Sequence, residues 1–159
     1  MAGNQVQAGR YTAHIEGEFV VFVIGMRFNK LWKPHRWLPV MRAMPRMIKE
    51  LMAHPEMGYL DGRFMIGGRT ITMVQHWRSF EQLETFARNA DATHFPAWRE
   101  FNAKIGSNGD VGVYHETYRV APGAYECIYA NTPVMGLAAA GEHLAVGRGA
   151  ERARERIGA

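Results

Sequence analysis

Two histidines, His94 and His115, stand in contexts that suit chemistry, and they lie 21 positions apart. After His94, the residues Trp98, Phe101 and Ile105 follow at intervals of four, three and four, which places all four side chains on one helix face. A neutral imidazole in such an apolar wall is suited to hold haem iron. The pattern equally suits a buried structural histidine that is hydrogen-bonded to a backbone carbonyl, and that alternative stays open.

The sequence around His115 alternates in character, which predicts a β-strand. On that strand His115 shares a face with Val111, Val113 and Thr117. An imidazole among such neighbours can titrate near neutral pH and transfer a proton to or from a bound substrate. A helix histidine and a strand histidine can therefore face a common cavity. Cross-strand packing is the alternative interpretation of His115.

Further residues could complete such a cavity. His76 shares a predicted strand face with Val74 and Thr72 and is a reserve ligand, although it can equally end a strand at the solvent boundary. Five of the ten methionines fall between Met41 and Met57. Their flexible side chains fit beside a flat apolar ligand and serve equally well as adaptable core.

Composition restricts the class of protein. A chain of 159 residues with 47% hydrophobic and 21% charged residues is typical of one folded domain. The net charge of +4 is spread along the chain rather than gathered in a stripe, so we expect no nucleic-acid partner. Cys127 stands alone, no apolar run approaches the ~20 residues of a membrane span, and no signal core precedes residue 10, so we expect a cytoplasmic protein. Phosphate-binding loops, zinc motifs and nucleophile elbows are not found.

Periodicity predicts the elements that position these residues. Strands are predicted over residues 19–26, 59–66, 70–77 and 110–120, with a possible edge strand over 125–130. Helices are predicted over 34–53, after the capping residue Ser79, and over 95–105. Pro39 and Pro45 should bend or restart the first helix. Beyond Pro133 we expect an extension that ends in a solvated or frayed tail.

The order strand, helix, strand, strand, helix, strand is typical of an α+β, ferredoxin-like fold with an antiparallel sheet. We assign residues 10–132 to this domain, 1–9 to an N-terminal tail and 133–159 to a C-terminal extension. The strands look as apolar on the face away from the helices as on the face toward them. A homodimer that presses two sheets into an α+β barrel would cover that face. Ligand pockets in this arrangement lie between sheet and helices.

Three segments carry a resemblance to known families: residues 76–87, the Thr93-His94 step and the Tyr114-His115-Glu116 strand. Together they resemble the dimeric α+β barrel proteins, and residues 10–132 resemble a monooxygenase-like family within that group. The Thr-His step and the Tyr-His-Glu strand are also similar to the second half of haem-containing aldoxime dehydratases. Those enzymes fuse two such halves in one chain, whereas this sequence has one.

The resemblance implies roles for individual residues. His94 would be the axial ligand of haem b iron, with Trp98 and Phe101 beside it, and His115 a distal acid or base. Arg63 and Arg27 are further catalytic candidates near His115, and Asp61 is a third residue expected near it. The distal serine of aldoxime dehydratases has no assigned counterpart here.

Three functions are consistent with these observations. The first is a haem enzyme that acts on a small organic substrate through oxygen or N–O bond chemistry. The second is a cofactor-free monooxygenase of the same barrel group, in which His115 or His76 is the base. The third is a dimer that binds haem or another ligand without catalysis.

Overall fold

The computed structural model describes residues 5–88 and 108–157, which form two antiparallel sheets and several helices. The strands are β1 (Gln7–His14), β2 (Phe19–Phe28), β3 (Tyr59–Gly67), β4 (Thr70–Trp77), β5 (Val111–Val120), β6 (Tyr129–Thr132) and β7 (Glu142–Ala145). The helices are α1 (Pro34–Ala53), α2 (Phe80–Arg88), α3 (Leu137–Ala140) and α4 (Ala153–Arg156), and a 3-10 turn spans Pro55–Met57. Among these described helices, none is long and apolar enough to cross a membrane.

The larger sheet has the strand order β3-β4-β2-β5, with antiparallel neighbours throughout. Helix α1 connects β2 to β3, and α2 follows β4. The backbone N–H of Gln82 donates to Ser79 Oγ at 3.2 Å, so Ser79 caps α2 as predicted. This arrangement confirms the predicted ferredoxin-like α+β fold.

The larger sheet has two chemically different faces. On the helix face, Val20 and Trp77 pack with Leu51 of α1 and with Leu83 and Phe86 of α2. We call the opposite side the outer face; it carries the alternate residues, including Val21 and His76.

The outer face is more polar than the sequence predicted. One cross-strand row runs from Arg63 through Val74 and Val23 to Glu116, so that charged residues on the two edge strands flank an apolar centre. The prediction of two equally apolar faces is therefore wrong for the edge strands. Of the central strands, β2 presents Val21 and Val23 on this face, whereas β4 presents Thr72 and His76 beside Val74.

Helix α1 runs from Pro34 to Ala53 without interruption, although Pro39 and Pro45 lie inside it. Each proline removes one backbone donor and was expected to bend or restart the helix. The apolar stripe that includes Met47, Ile48 and Leu51 packs on the sheet along the second half of the helix. This packing stabilises one continuous helix across both prolines.

The second sheet has the strand order β6-β1-β7. It contains strands from near both ends of the chain, where the sequence predicted an N-terminal tail and a C-terminal extension. The predicted tail over residues 1–9 includes the start of β1, and the predicted edge strand over 125–130 is displaced to β6. Both flanking strands form backbone ladders with β1, which lies in the middle of this sheet. Ile15, Phe19 and Ala140 form a cluster that anchors this part of the chain to the outer face.

The C-terminal residues are ordered by a partly buried ion pair rather than solvated as a tail. Arg156, at the end of α4, pairs with Glu126, and only 7% of the arginine side chain is exposed. The same guanidinium donates to the backbone carbonyls of Ala150 and Glu151 at 2.9 Å. A guanidinium with several acceptors can be buried at little cost, which explains why a charged segment without an apolar face still packs.

A buried carboxylate holds the loop that leads into α1. Asp110 is 3% exposed, and its two oxygens lie 2.7 Å from Lys30 Nζ and 2.8 Å from Lys33 Nζ. The backbone N–H of Lys30 also donates to the Asp110 carbonyl at 3.1 Å. The hydrogen bonds from Lys30 and Lys33 lower the pKa of Asp110 from 3.8 to about 2. This clamp fixes the start of α1 to the start of β5.

The Asp110 clamp predicts a specific dependence of stability on pH. Because the pKa is lower in the folded chain, the carboxylate stabilises the fold fully above its ordinary value of 3.8, and this stabilisation is lost as the pH falls toward about 2. At pH 7, Asp110→Asn should therefore have a lower urea midpoint of unfolding than the original protein. Near pH 2 the two midpoints should be nearly the same. Glu18→Gln, which removes a more exposed ion pair with Arg119, is the matched control and should change the midpoint much less. If the urea midpoint of Asp110→Asn were lower than that of the original protein by the same amount at both pH values, this role of the Asp110 carboxylate would be contradicted.

Candidate functional site

A cavity of about 260 Å³ lies between α1 and the helix face of the larger sheet. We call it the methionine pocket. All of its described lining residues are apolar side chains, glycine or proline, and they include Ile24, Met26, Met41, Met44, Met73 and Val113. A cavity with such walls excludes water and favours an apolar ligand.

Each wall of the methionine pocket follows from the local sequence. Met41 and Met44 are three residues apart on α1 and therefore share one helix face. Met26 belongs to a small cluster with Phe28 and Val111, against which Trp37 packs. The rings of Phe28 and Trp37 meet edge to face with centroids 5.0 Å apart and close this side.

The pocket opens toward the end of β3. Phe64 and Ile66 line it and are 44% and 80% exposed, and Met41 is 37% exposed. Flexible thioethers and exposed aromatic or aliphatic groups at an opening can adapt to ligands of different shape. The mouth of the methionine pocket is therefore apolar as well as its interior.

His115 lies on the helix face of β5 at the margin of the methionine pocket. It pairs across the strands with Ile24 and shares its strand face with Val113, and both of these residues line the pocket. The imidazole is exposed, and its ring centroid lies 5.8 Å from that of Phe22. The structure thus places one titratable group beside an apolar cavity, an arrangement that allows proton transfer to a molecule bound there.

His76 lies on the other face of the sheet, although the sequence placed it as a possible neighbour of His115. His76 pairs with Val21 of β2, whereas His115 pairs with Ile24 of the same strand. Val21 and Ile24 are an odd number of residues apart, and successive side chains of a strand point to opposite faces, so the two histidines lie on opposite faces of the sheet. His76 is buried, and its Nδ1 has no hydrogen-bond partner among the described residues. Burial lowers the pKa of its imidazole and favours the neutral form.

The predicted arginines are also on the outer face. Arg63 pairs with Val74 and Arg27 pairs with Thr70, and both side chains are exposed. The strand register therefore separates Arg27, Arg63 and Asp61 from His115 within one chain. His94, Trp98 and Phe101 lie outside the described residues.

The hairpin contribution to the pocket was missed in the sequence. Phe64 and Ile66 of β3 and Ile71 and Met73 of β4 line the cavity, but the sequence analysis used the hairpin only as a fold element. The signal was present, because residues at spacing two on each strand must share a face. The sequence alone does not show which face of each strand lies toward α1.

The described residues offer no ready metal cluster. Within residues 5–88 and 108–157, no group of three or more histidine, cysteine or acidic side chains is placed to hold a metal ion. Haem needs only one axial side chain, since the macrocycle supplies the other ligands. The apolar walls of the methionine pocket are chemically compatible with such a macrocycle, whereas the cavity volume of about 260 Å³ suits a smaller molecule.

Comparison with known proteins gives relatives of two kinds. Monooxygenase af470 of Aspergillus fumigatus is 27% identical to the chain over 124 residues, which are 73% of this chain and 44% of that protein. The chain thus spans less than half the length of this curated relative. Aldoxime dehydratase in complex with butyraldoxime superposes with a TM-score of 0.63 at 17% identity, over 89% of this chain and 43% of that one.

A smaller structure is more distantly similar. SnoaB, a cofactor-independent oxygenase from Streptomyces nogalater, gives a TM-score of 0.42 at 10% identity and covers 64% of this chain and 91% of that one. The aldoxime dehydratase match shows a shared fold and leaves the chemistry to the site. Residues 19–137 match the Monooxygenase af470-like family, so the chain belongs to that family.

Proposed function

We propose that this protein is an enzyme of the monooxygenase type that transforms a small apolar organic molecule, with haem as its cofactor. The observation that carries the proposal is the methionine pocket with His115 at its margin. Binding there removes the substrate from water, and the imidazole beside it can supply or accept a proton. Membership of the family supports oxidoreductase chemistry.

His94 would hold the cofactor, with Trp98 and Phe101 on the same predicted helix face. A bound haem supplies a redox-active Lewis acid for oxygen or N–O bond chemistry. The described methionine and isoleucine walls would pack against its apolar body. The assignment of this role to His94 rests on the sequence motif.

His115 would act as the general acid or base of the reaction. Among the predicted catalytic residues, it alone lies on the helix face, since Arg27 and Arg63 are on the outer face. A neutral imidazole can take a proton from the substrate, and the imidazolium can return it to a leaving oxygen.

The haem assignment is tested by an absorption spectrum of the purified protein titrated with haemin. We expect a sharp Soret band in the original protein and its loss in His94→Ala, because the axial ligand is removed. His14→Ala is the matched control: His14 is an exposed histidine on β1, and its variant should bind haem normally. An unchanged band in His94→Ala would refute the axial role of this residue.

The proton-transfer role is tested by His115→Gln. Turnover should fall by ~10²–10⁴, as is usual when a general acid or base is removed, while haem binding stays intact. Butyraldoxime, with and without oxygen, is the first substrate to try, because a structural relative was solved with it. Thr117→Ala changes an exposed residue on the same strand face and should retain activity. Full activity of His115→Gln would remove His115 from the mechanism.

The size of the pocket supports a second candidate function. At about 260 Å³ it is slightly smaller than the ~300–1,000 Å³ usual for ligand sites, which suits a small substrate better than a macrocycle. In a cofactor-free monooxygenase, His115 would deprotonate an electron-rich substrate whose anion reacts with oxygen. Oxygen-dependent turnover without saturable haem uptake would favour this function over the first.

We also propose that the protein is a homodimer joined through the outer face. Val23 and Val74 form an apolar centre between Arg63 on β3 and Glu116 on β5. A two-fold axis parallel to the strands would place Arg63 of each copy above Glu116 of the other. Burial of the valines and pairing of these charges would both favour association.

The dimer is tested by Val74→Asp and sedimentation velocity. An unpaired carboxylate at the centre of the interface should shift the protein to a monomer. Thr117→Asp introduces the same charge on the helix face and should leave the dimer intact. A Val74→Asp variant that sediments as a dimer would exclude the outer face as the interface.

A further inference from the structure

A second cavity, of about 640 Å³, lies along the free edge of β3. We call it the edge groove. Its walls come from the end of α1, from β3 and from the segment that leads into α3, and they include Leu51, Met52, Asp61, Arg63, Met135 and Ala139. This volume lies within the ~300–1,000 Å³ of typical small-molecule sites.

A bulge in β3 presents polar groups to the edge groove. The register between β3 and β4 shifts between Tyr59 and Asp61, so that Asp61 faces His76. The Asp61 carboxyl is half-buried, and burial raises its pKa, opposed by a smaller effect of a hydrogen bond from the Gly62 N–H. Burial, and secondarily the charge of Asp61, raise the pKa of the neighbouring Tyr59 hydroxyl. A cationic ligand group would relieve the cost of keeping this carboxylate charged.

Arg63 lies two residues along the same strand face, roughly 6.5–7 Å from Asp61 along the backbone. Its Nη1 lies 3.1 Å from Met135 Sδ, which holds the guanidinium at the groove wall. Within one chain, no described carboxylate forms an ion pair with Arg63. In the proposed dimer, the partner's Glu116 would occupy only part of the five N–H donors of this guanidinium. The guanidinium therefore keeps donors for a ligand anion.

His76 provides an independent sign of a polar site beside Asp61. It is 6% exposed, and its buried Nδ1 finds no hydrogen-bond partner within residues 5–88 and 108–157. Unsatisfied buried polar atoms are uncommon in native folds, and a bound polar ligand group or ion is one way in which such an atom is satisfied. Nδ1 of a neutral imidazole can donate or accept, so it adds hydrogen-bonding capacity next to the carboxyl.

We propose that the edge groove is a binding site for an apolar α-amino acid. The ligand carboxylate pairs with Arg63, the ammonium group donates to Asp61, and the side chain packs on Leu51, Met52 and Met135. Asp61 and Arg63 lie on the outer face and His115 lies on the helix face, so the polar part of this site is separate from the methionine pocket and independent of haem binding. Because Val134, Met135, Gly136 and Ala139 form one wall, the ligand also connects the C-terminal segment to the larger sheet.

The proposal is tested by calorimetric titration with L-phenylalanine, phenethylamine and 3-phenylpropionate. Phenethylamine lacks the carboxylate, and 3-phenylpropionate lacks the ammonium group. The original protein should bind L-phenylalanine more tightly than either analogue. Asp61→Asn should weaken the binding of L-phenylalanine about tenfold or more and leave the binding of 3-phenylpropionate unchanged. Arg63→Gln should weaken the binding of L-phenylalanine and leave the binding of phenethylamine unchanged.

Two exposed residues away from the edge groove serve as controls. Glu142→Gln on β7 and Arg27→Gln on β2 remove an exposed carboxylate and an exposed guanidinium, and both should bind L-phenylalanine like the original protein. Circular dichroism verifies that each variant is folded. The proposal would be overturned if the original protein showed no saturable binding of L-phenylalanine. It would also be overturned if Asp61→Asn and Arg63→Gln bound L-phenylalanine as tightly as the original protein does.

Discussion

The strict alternation of side chains along β2 is the constraint on which the rest of the structure depends. This strand pairs with β4 on one side and with β5 on the other, so that it fixes the face on which every residue of both neighbours lies. Ile24 directs His115 to the helix face, and Val21 directs His76 to the outer face. A register shift of one residue would exchange these assignments. The two candidate sites are thus separated by the pairing of a single strand.

The two faces have different chemistry because they are covered by different parts of the chain. Helix α1 covers one face and leaves the methionine pocket, where the described walls carry no charge. The second sheet and α3 cover one end of the outer face, where Asp61 and Arg63 border the edge groove. Water exclusion dominates at the first site, and charge pairing dominates at the second. The Asp110 clamp connects α1 to β5 and so stabilises the frame of the first site.

The sequence predicted the elements of the larger sheet well, because their signals are local. Helix α1 was predicted with its observed bounds, and Ser79 caps α2 as expected. The errors concern interactions between distant segments. Pairing of β7 with β1 joins the two ends of the chain, and the ion pair of Arg156 with Glu126 spans 30 residues, so no local pattern reveals either contact. The bulge in β3 and the register that separates His76 from His115 are likewise products of strand pairing. The axial role of His94 remains a prediction.

The central claim is that the helix-face pocket beside His115 is where the cofactor or substrate binds. NMR of the protein labelled with ¹³C at its ten methionine methyl groups tests it directly during titration with haemin, whose iron broadens nearby signals. We expect the signals of Met41, Met44 and Met73, which line the pocket, to broaden with one saturation curve, while Met65 and Met135 stay sharp. Broadening of Met65 and Met135 with an unchanged Met73 signal would place the ligand on the outer side of the sheet and contradict the account.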